Sequence, residues 1–345
     1  MIQSRNEKLL HYINPAHQVG VEIGPLTNPI VTREMGKVYY IDHTTTEALR
    51  VKYADDPNVD INKIVDVDYV WGEKSLAELT QAKQPFDYLI ASHVIEHVPD
   101  LIGWLEEIRS ILKPGGILSL AIPDKRQCFD YKRQPTRLCD VFEAYLHCSK
   151  RPTPRQIFDH VASAVHLQGG FTWSEKVDET AEFTHYHSLN DAQAVAKAAF
   201  ESDAYHDVHC WVFTPNVFFK LLAELAEVGL LKFEVVQFYE TTGCEFYVSL
   251  RAVDHPVYPS LIQPEPEENK QLRLRNLVEE NRFLRKQLEE FERERQEKER
   301  EAEQERQQQE RERVHFQACI KAMESSKFWQ MRTTWFKLKQ ILGLP

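Results

Sequence analysis

The chain is short of several features that would settle its class at once. Its six cysteines (Cys128, Cys139, Cys148, Cys210, Cys244, Cys319) include no C-x-x-C pair and reach no disulfide-rich density. Reduced thiols in a cytoplasm-like compartment are therefore expected. No basic-then-apolar leader opens the sequence, and no apolar run reaches the roughly 20 residues of a spanning helix. A cytoplasmic protein is expected, with peripheral attachment at the inner face of the cytoplasmic membrane still open. Positive charge is short as well: 42 Lys and Arg stand against 53 Asp and Glu, a net charge of −11. That balance, with no basic aromatic stripe in the core, argues against nucleic acid as a partner.

What is present is a globular pattern. From about His17 to Ala252, short apolar runs alternate with amphipathic stretches, as in a βαβ sheet. The expected strands are Gln18–Ile23, Lys37–Ile41, Lys63–Val67, Phe86–Ala91 and Ile117–Ile122. Leu101–Leu112 places its apolar residues on one helical face, and Lys113-Pro114-Gly115-Gly116 is expected to cap that helix through glycine. Thr214-Pro215 opens a second clear helix. Leu231–Phe238 and Glu245–Leu250 then read as an antiparallel closing pair. Residues 125–211 break the rhythm and are too long for a connection. They read as a mostly helical insertion over the active site.

The domain therefore spans 1–255. A Pro- and acid-rich linker follows over 256–269. Within 270–313, Leu274, Leu277, Asn281, Leu284, Leu288 and Phe291 form an a/d seam, with Asn281 suited to a parallel homodimer. The stretch after it is charged and solvated. Residues 314–345 end in a basic amphipathic helix. Phe328, Met331, Trp335, Leu338 and Leu342 are apolar there, and Lys327, Arg332, Lys337 and Lys339 supply positive charge. Residues 326–345 are expected to touch anionic membrane peripherally or to dock on protein.

Chemistry concentrates at strand ends. Val21-Glu22-Ile23-Gly24-Pro25 closes the first strand with an acid and a glycine, where doubly wound folds bind adenosine-like ligands. The second strand ends in Ile41-Asp42-His43, an acid placed to accept ribose hydroxyls. Neither is specific alone. The run Phe86-Asp87-Tyr88-Leu89-Ile90-Ala91-Ser92-His93-Val94-Ile95-Glu96-His97-Val98, followed by Leu112-Lys113-Pro114-Gly115-Gly116, resembles the class I S-adenosylmethionine-dependent methyltransferases, in particular their small-molecule branch. The likeness spans roughly Val19 to Leu250.

That resemblance implies a doubly wound α/β fold with a mostly parallel seven-stranded sheet, and S-adenosylmethionine as cofactor. It also implies that Glu22 and Gly24 hold the methionine end, that Asp42 with neighbouring His43 takes the ribose, and that Asp68 (or Asp66) lies near adenine. Ser92 and His93 would line the donor pocket, and Glu96-His97 would open the next helix. Leu26 and Asn28 depart from the family's first motif, standing where further glycines are common. Asp207-Val-His-Cys-Trp-Val-Phe-Thr-Pro, with Glu245-Phe-Tyr-Val-Ser-Leu, looks like bacterial methyltransferases associated with surface-polysaccharide assembly.

An alcohol acceptor needs a base, because hydroxyl pKa values lie far above 7. Histidine suits that task, and His97, His187 and His209 are the catalytic candidates. No metal-ligand set is assigned. A divalent ion chelating a diol through Asp203, His206, Asp207, His209, His185 and His187 competes with surface roles for the same side chains. The leading expectation is O-methylation of a saccharide or surface glycan. The alternative is a catalytically degenerate scaffold that recruits glycan-assembly partners through its coiled coil.

Overall fold

The computed structural model describes residues 3–256, apart from 73, 82, 84, 174–176, 178–180 and 203. It also describes residues 300, 306–308 and 311–342, apart from 324 and 326. The chain divides into two units, Met1–Ile262 and Gln263–Pro345.

In the first unit five parallel strands alternate with helices. They are β1 (Val19–Ile23), β2 (Lys37–Asp42), β3 (Tyr69–Val70), β4 (Phe86–Ser92) and β5 (Leu112–Pro123). A two-stranded hairpin in the insertion, β6 (Val165–Leu167) and β7 (Phe183–His185), stands apart from the main sheet. The antiparallel pair β8 (Phe233–Thr242) and β9 (Glu245–Ala252) completes that sheet in the order β3-β2-β1-β4-β5-β9-β8. Strand β4 shows why its sequence is a continuous apolar run. Leu89 and Ala91 face one core cluster while Tyr88 and Ile90 face the other, so both faces are covered.

The helices are α1 (Arg5–Leu9), α2 (Thr46–Lys52), α3 (Leu76–Thr80), α4 (Leu101–Ile111), α5 (Leu138–Leu146), α6 (Pro154–Ser163), α7 (Leu189–Glu201) and α8 (Pro215–Glu227). On α4, Leu101, Ile102, Trp104, Leu105, Ile108 and Ile111 are all buried, as their spacing requires. Each such aliphatic contributes on the order of 1.5–3 kcal/mol by leaving water. Helices α5, α6 and α7 lie in the 125–211 insertion with the β6–β7 hairpin, so the insertion is helical with a small sheet added.

Three local expectations are corrected. The strand expected at Lys63–Val67 is displaced to Tyr69–Val70. Val65 N–H is spent on Leu26 O and Val67 N–H on Thr46 Oγ1, which leaves that stretch out of the ladder. Glycine does not cap α4. Leu112 turns extended (φ −89°, ψ 144°), and Lys113–Gly116 forms an irregularity within β5, where Gly115 takes φ +79°. Nor does Glu96-His97 open α4: the pair sits in a turn, and the Asp100 side chain caps the helix by accepting from Gly103 N–H at 2.9 Å.

In the second unit, α9 (Lys327–Ile341) leaves Phe328, Met331, Trp335 and Ile341 exposed. No described helix is long and apolar enough to cross a membrane. The Leu274–Phe291 seam lies outside the described residues.

Candidate active site

Strand order reverses between β1 and β4, and ligands of doubly wound sheets bind at the carboxyl ends of the strands where that happens. Ile23 pairs with both Ile41 and Ala91, so the ends of β1, β2 and β4 lie side by side. Gly24, just past β1, takes φ +67°. Its N–H donates to Ile41 O at 2.9 Å, which ties this turn to β2. Leu26 also takes a left-handed φ of 45°. The turn keeps a glycine-like backbone at a leucine, at the local strain this conformation costs a side chain. Of the two departures from the family's first motif, Leu26 and not Asn28 takes the left-handed backbone.

Glu22 is buried, and its carboxylate accepts from Ile30 N–H at 2.8 Å and Val31 N–H at 3.1 Å. Burial pushes its pKa up to about 7 against the pull of those two amides. It shapes the loop that follows Gly24. Asp42 is likewise buried, and its Oδ1 accepts from His43 N–H at 2.7 Å with His43 Nδ1 at 2.6 Å. A left-handed glycine beside a buried strand-end carboxylate fits the methionine and ribose portions of S-adenosylmethionine. Asp68 is committed elsewhere: Oδ2 accepts from Tyr40 N–H at 2.8 Å and from Arg33 at 2.9 Å.

The end of β4 carries the charge. His93 adopts φ 53°, and its ring bridges two acids, with Nε2 2.8 Å from Glu245 Oε2 and Nδ1 3.4 Å from Glu96 Oε1. Burial works against the cation, but Glu245 and Glu96 outweigh it and raise the His93 pKa to about 10. Arg5, from α1, donates to Glu245 at 2.7 Å and also to Ser92 Oγ. The N-terminal helix is thereby pinned over the strand end.

Beyond His93, two histidines meet edge to face, His97 and His209, with ring centroids 4.7 Å apart. His97 Nδ1 lies 2.8 Å from Asp207 Oδ1, and His209 Nδ1 lies 2.5 Å from Asp130 Oδ2. Each Nε2 lies 4.0 Å from Glu96 Oε1. Burial lowers the His97 pKa, yet the Asp207 contact and the Glu96 charge raise it on balance above the usual histidine value. Glu96 is wholly buried; burial alone would raise its pKa, and the imidazoles of His93, His209 and His97 bring it below the carboxylate norm. His160 donates nothing here. Its Nδ1 accepts from His209 N–H at 3.2 Å, and burial lowers its pKa to about 3, keeping it neutral.

Of the three catalytic candidates, His97 and His209 are brought together. His187 is exposed on the loop before α7, its ring against Tyr186. His185 is also exposed, its Nδ1 3.0 Å from Ala162 O; Asp203 lies outside the described residues, and among those described His185 and His187 join no ligand group with His209. Sequence reasoning assigned no role to Arg5, Asp130 or Glu245, and to Glu96 only the opening of a helix. Glu96 left a signal, an acid inside the apolar run Val94-Ile95-Glu96-His97-Val98. The others left none, since their partners lie 79 to 240 residues away. Two grooves of about 410 and 350 Å³ open elsewhere, beside Thr153 and Phe200 and beside Leu105 and Arg109.

Among solved structures the chain is similar to the carbon methyltransferase of CurJ, at 13% identity and a TM-score of 0.33, covering 71% of this chain and 51% of that one. It thus spans about half of that protein's length. It is also similar to the CcbJ methyltransferase from Streptomyces caelestis (12% identity, TM-score 0.37, covering 72% and 89%). A third is the 1,6-didemethyltoxoflavin-N1-methyltransferase of Burkholderia thailandensis (12%, 0.35, covering 72% and 76%). No curated protein matches the chain. The family model described as a methyltransferase domain matches residues 3–215, well over half of the sequence. The chain belongs to the methyltransferase-domain family.

Proposed function

We propose that this protein transfers a methyl group to a hydroxyl of a saccharide or surface glycan. The observation that carries the reading is the cluster at the end of β4. Two imidazoles, each held through Nδ1 by a carboxylate, turn their other nitrogens toward a buried glutamate. Such a cluster suits an acceptor that must lose a proton, as an alcohol must and an amine already neutral need not.

Bound S-adenosylmethionine supplies an electrophilic methyl group on a sulfonium. The protein's part is to orient and to exclude water. Asp42 and the Gly24 turn hold the donor, and Ser92 and His93 border it. His97 and His209 face the acceptor, with Asp207 and Asp130 fixing their rings.

The insertion supports a sugar as that acceptor. Phe129 packs its ring 4.7 Å from that of His209, and two residues on, Tyr131 stacks on Phe183 at 4.5 Å with Trp173 beside them at 5.6–6.0 Å. Aromatic faces with polar edges match sugar rings, which have apolar C–H faces and hydroxyl rims. The polysaccharide-associated look of residues 207–215 and 245–250 points the same way. The test is release of S-adenosylhomocysteine on adding glycan, with the methyl ether located by mass spectrometry. Methylation of an amine or a carbon in preference to any hydroxyl would refute the reading.

Peripheral membrane contact through α9 is part of the proposal. Its apolar residues are exposed and it contains Lys327, Arg332, Lys337 and Lys339 with no acid. Arg332 lies over the Trp329 and Phe336 rings, at 5.0 and 5.6 Å, so cation and aromatics share one region rather than opposite faces. Pairing of two chains through the Leu274–Phe291 seam rests on its heptad spacing. Two tails would then bind a surface together.

A further inference from the structure

We propose that Glu96, His97 and His209 are the ligands of a divalent metal ion of the zinc type. The proposal begins from a gap. Glu96 is fully buried, and although His93 Nδ1 lies 3.4 Å from Oε1, neither oxygen accepts a hydrogen bond among the described residues. An ionised carboxylate left so is costly, and buried acids are ordinarily paired or bound to metal. If His97 and His209 belonged to an ordinary ion-pair network, their N–H groups would come as close to that carboxylate as His93 Nδ1 does, at 3.4 Å from Oε1, or closer. Instead both Nε2 atoms stop 4.0 Å from Glu96 Oε1, while the Nδ1 atoms reach outward to Asp207 at 2.8 Å and Asp130 at 2.5 Å.

That pattern is what metal-binding histidines use. One ring nitrogen faces the ion, and the other donates to a carboxylate that fixes tautomer and orientation. Ligand atoms from the three side chains all lie within 4.8 Å of one another. With metal–ligand bonds of about 2.0–2.2 Å, two ligands on one ion lie about 3.0–4.3 Å apart. A small closure of the rings therefore completes the site. Two imidazoles and one carboxylate are a donor set that zinc takes while leaving a coordination position open.

The backbone holds the ligands at this spacing. Cys210 N–H and Trp211 N–H both donate to Glu96 O, at 2.7 and 3.2 Å, and the Trp211 indole donates to Val98 O at 2.6 Å. The segment carrying His209 is thus stitched to the turn carrying Glu96 and His97. His97 is 30% exposed, which gives the ion a way in.

The site itself does not depend on the hydroxyl reading; its role does. An ion here would lower the pKa of an approaching acceptor hydroxyl. The hydroxyl proton passes to solvent, the oxygen forms the new O–C bond as the S–C bond breaks, and the donor leaves as a neutral thioether.

The test uses the full chain, stripped with chelator and titrated with Zn²⁺ by calorimetry, then with Co²⁺ followed by visible absorption. One ion per chain is expected, with a Co²⁺ spectrum typical of nitrogen and oxygen ligands. Glu96→Gln should weaken binding by at least about 100-fold. Asp207→Asn, at an exposed residue where the fold is not at risk, should weaken it by about 10–100-fold. Failure of the native chain to bind either ion overturns the site. So does unchanged stoichiometry in a chain carrying both Glu96→Gln and His209→Ala. Zinc binding without transfer to any hydroxyl would refute the proposed function and uphold the site. Full transfer by metal-free protein would remove the ion from the reaction.

Discussion

Glu22 and Glu96 are both buried glutamates at carboxyl ends of parallel strands, and the chain treats them in opposite ways. Glu22 rests on two backbone amides, and burial raises its pKa to about 7. Glu96 is more deeply buried, yet its pKa is lowered, because three imidazoles surround it. The sign of a buried acid's shift is set by which charges are within reach, not by burial alone. At the β1 end the sequence builds a loop with an acid. At the β4 end it gathers acids and histidines from distant segments.

The sharpest way to test that contrast is to remove the imidazoles. His97→Ala or His209→Ala should lower turnover by about 10²- to 10⁴-fold. Donor affinity, measured by calorimetry, should stay close to the native value. Loss of donor binding in step with turnover would mean that the cluster only supports the donor pocket. Next in size is Asp42→Ala, which should weaken S-adenosylmethionine binding by about 1.5–3 kcal/mol, the scale of a hydrogen bond to a charged group. Unchanged affinity would place the ribose elsewhere.

Glu22 makes a prediction with a definite sign. Its folded pKa of about 7 lies above the ordinary carboxylate value, so between roughly pH 4.5 and 7 the folded chain keeps a proton that the unfolded chain has lost. Stability from this residue is full below that window and is lost as pH rises through it, by about 2–4 kcal/mol in all. Glu22→Gln should flatten the fall in Tm across the window, and an unchanged profile would mean that Glu22 is ionised in the folded state. The smallest effect belongs to α9. Phe328→Glu with Trp335→Glu should abolish co-sedimentation of the full chain with phosphatidylglycerol vesicles at low salt and leave methyl transfer to soluble glycan untouched. Equal binding to neutral vesicles would exclude the electrostatic part of the attraction.

Most of the fold was legible because periodicity is local. The runs at 18–23, 37–41, 86–91 and 117–122 carry their own strand signal, and α4 and α8 their own apolar faces. The third strand was misplaced because Lys63–Val67 looks like a strand in composition, while its amides are taken by Leu26 and Thr46. The site was legible in part. That Gly24, Asp42, Ser92 and His93 stand at strand ends follows from position along the chain. Which acid orients which histidine does not, because Asp130 and His209 meet only when the insertion folds back. A left-handed leucine at position 26 had no signature at all.

The central claim is that methyl transfer to a hydroxyl takes place beside Glu96, His97 and His209. The most direct measurement is a single-turnover reaction of the full chain with methyl-labelled S-adenosylmethionine and a saccharide acceptor, run for the native protein and for His209→Ala. Labelled methyl ether from the native chain, with its formation rate reduced at least about 100-fold in the variant at saturating donor, is the expected result. A methyl ether formed at the native rate by the variant would contradict the claim.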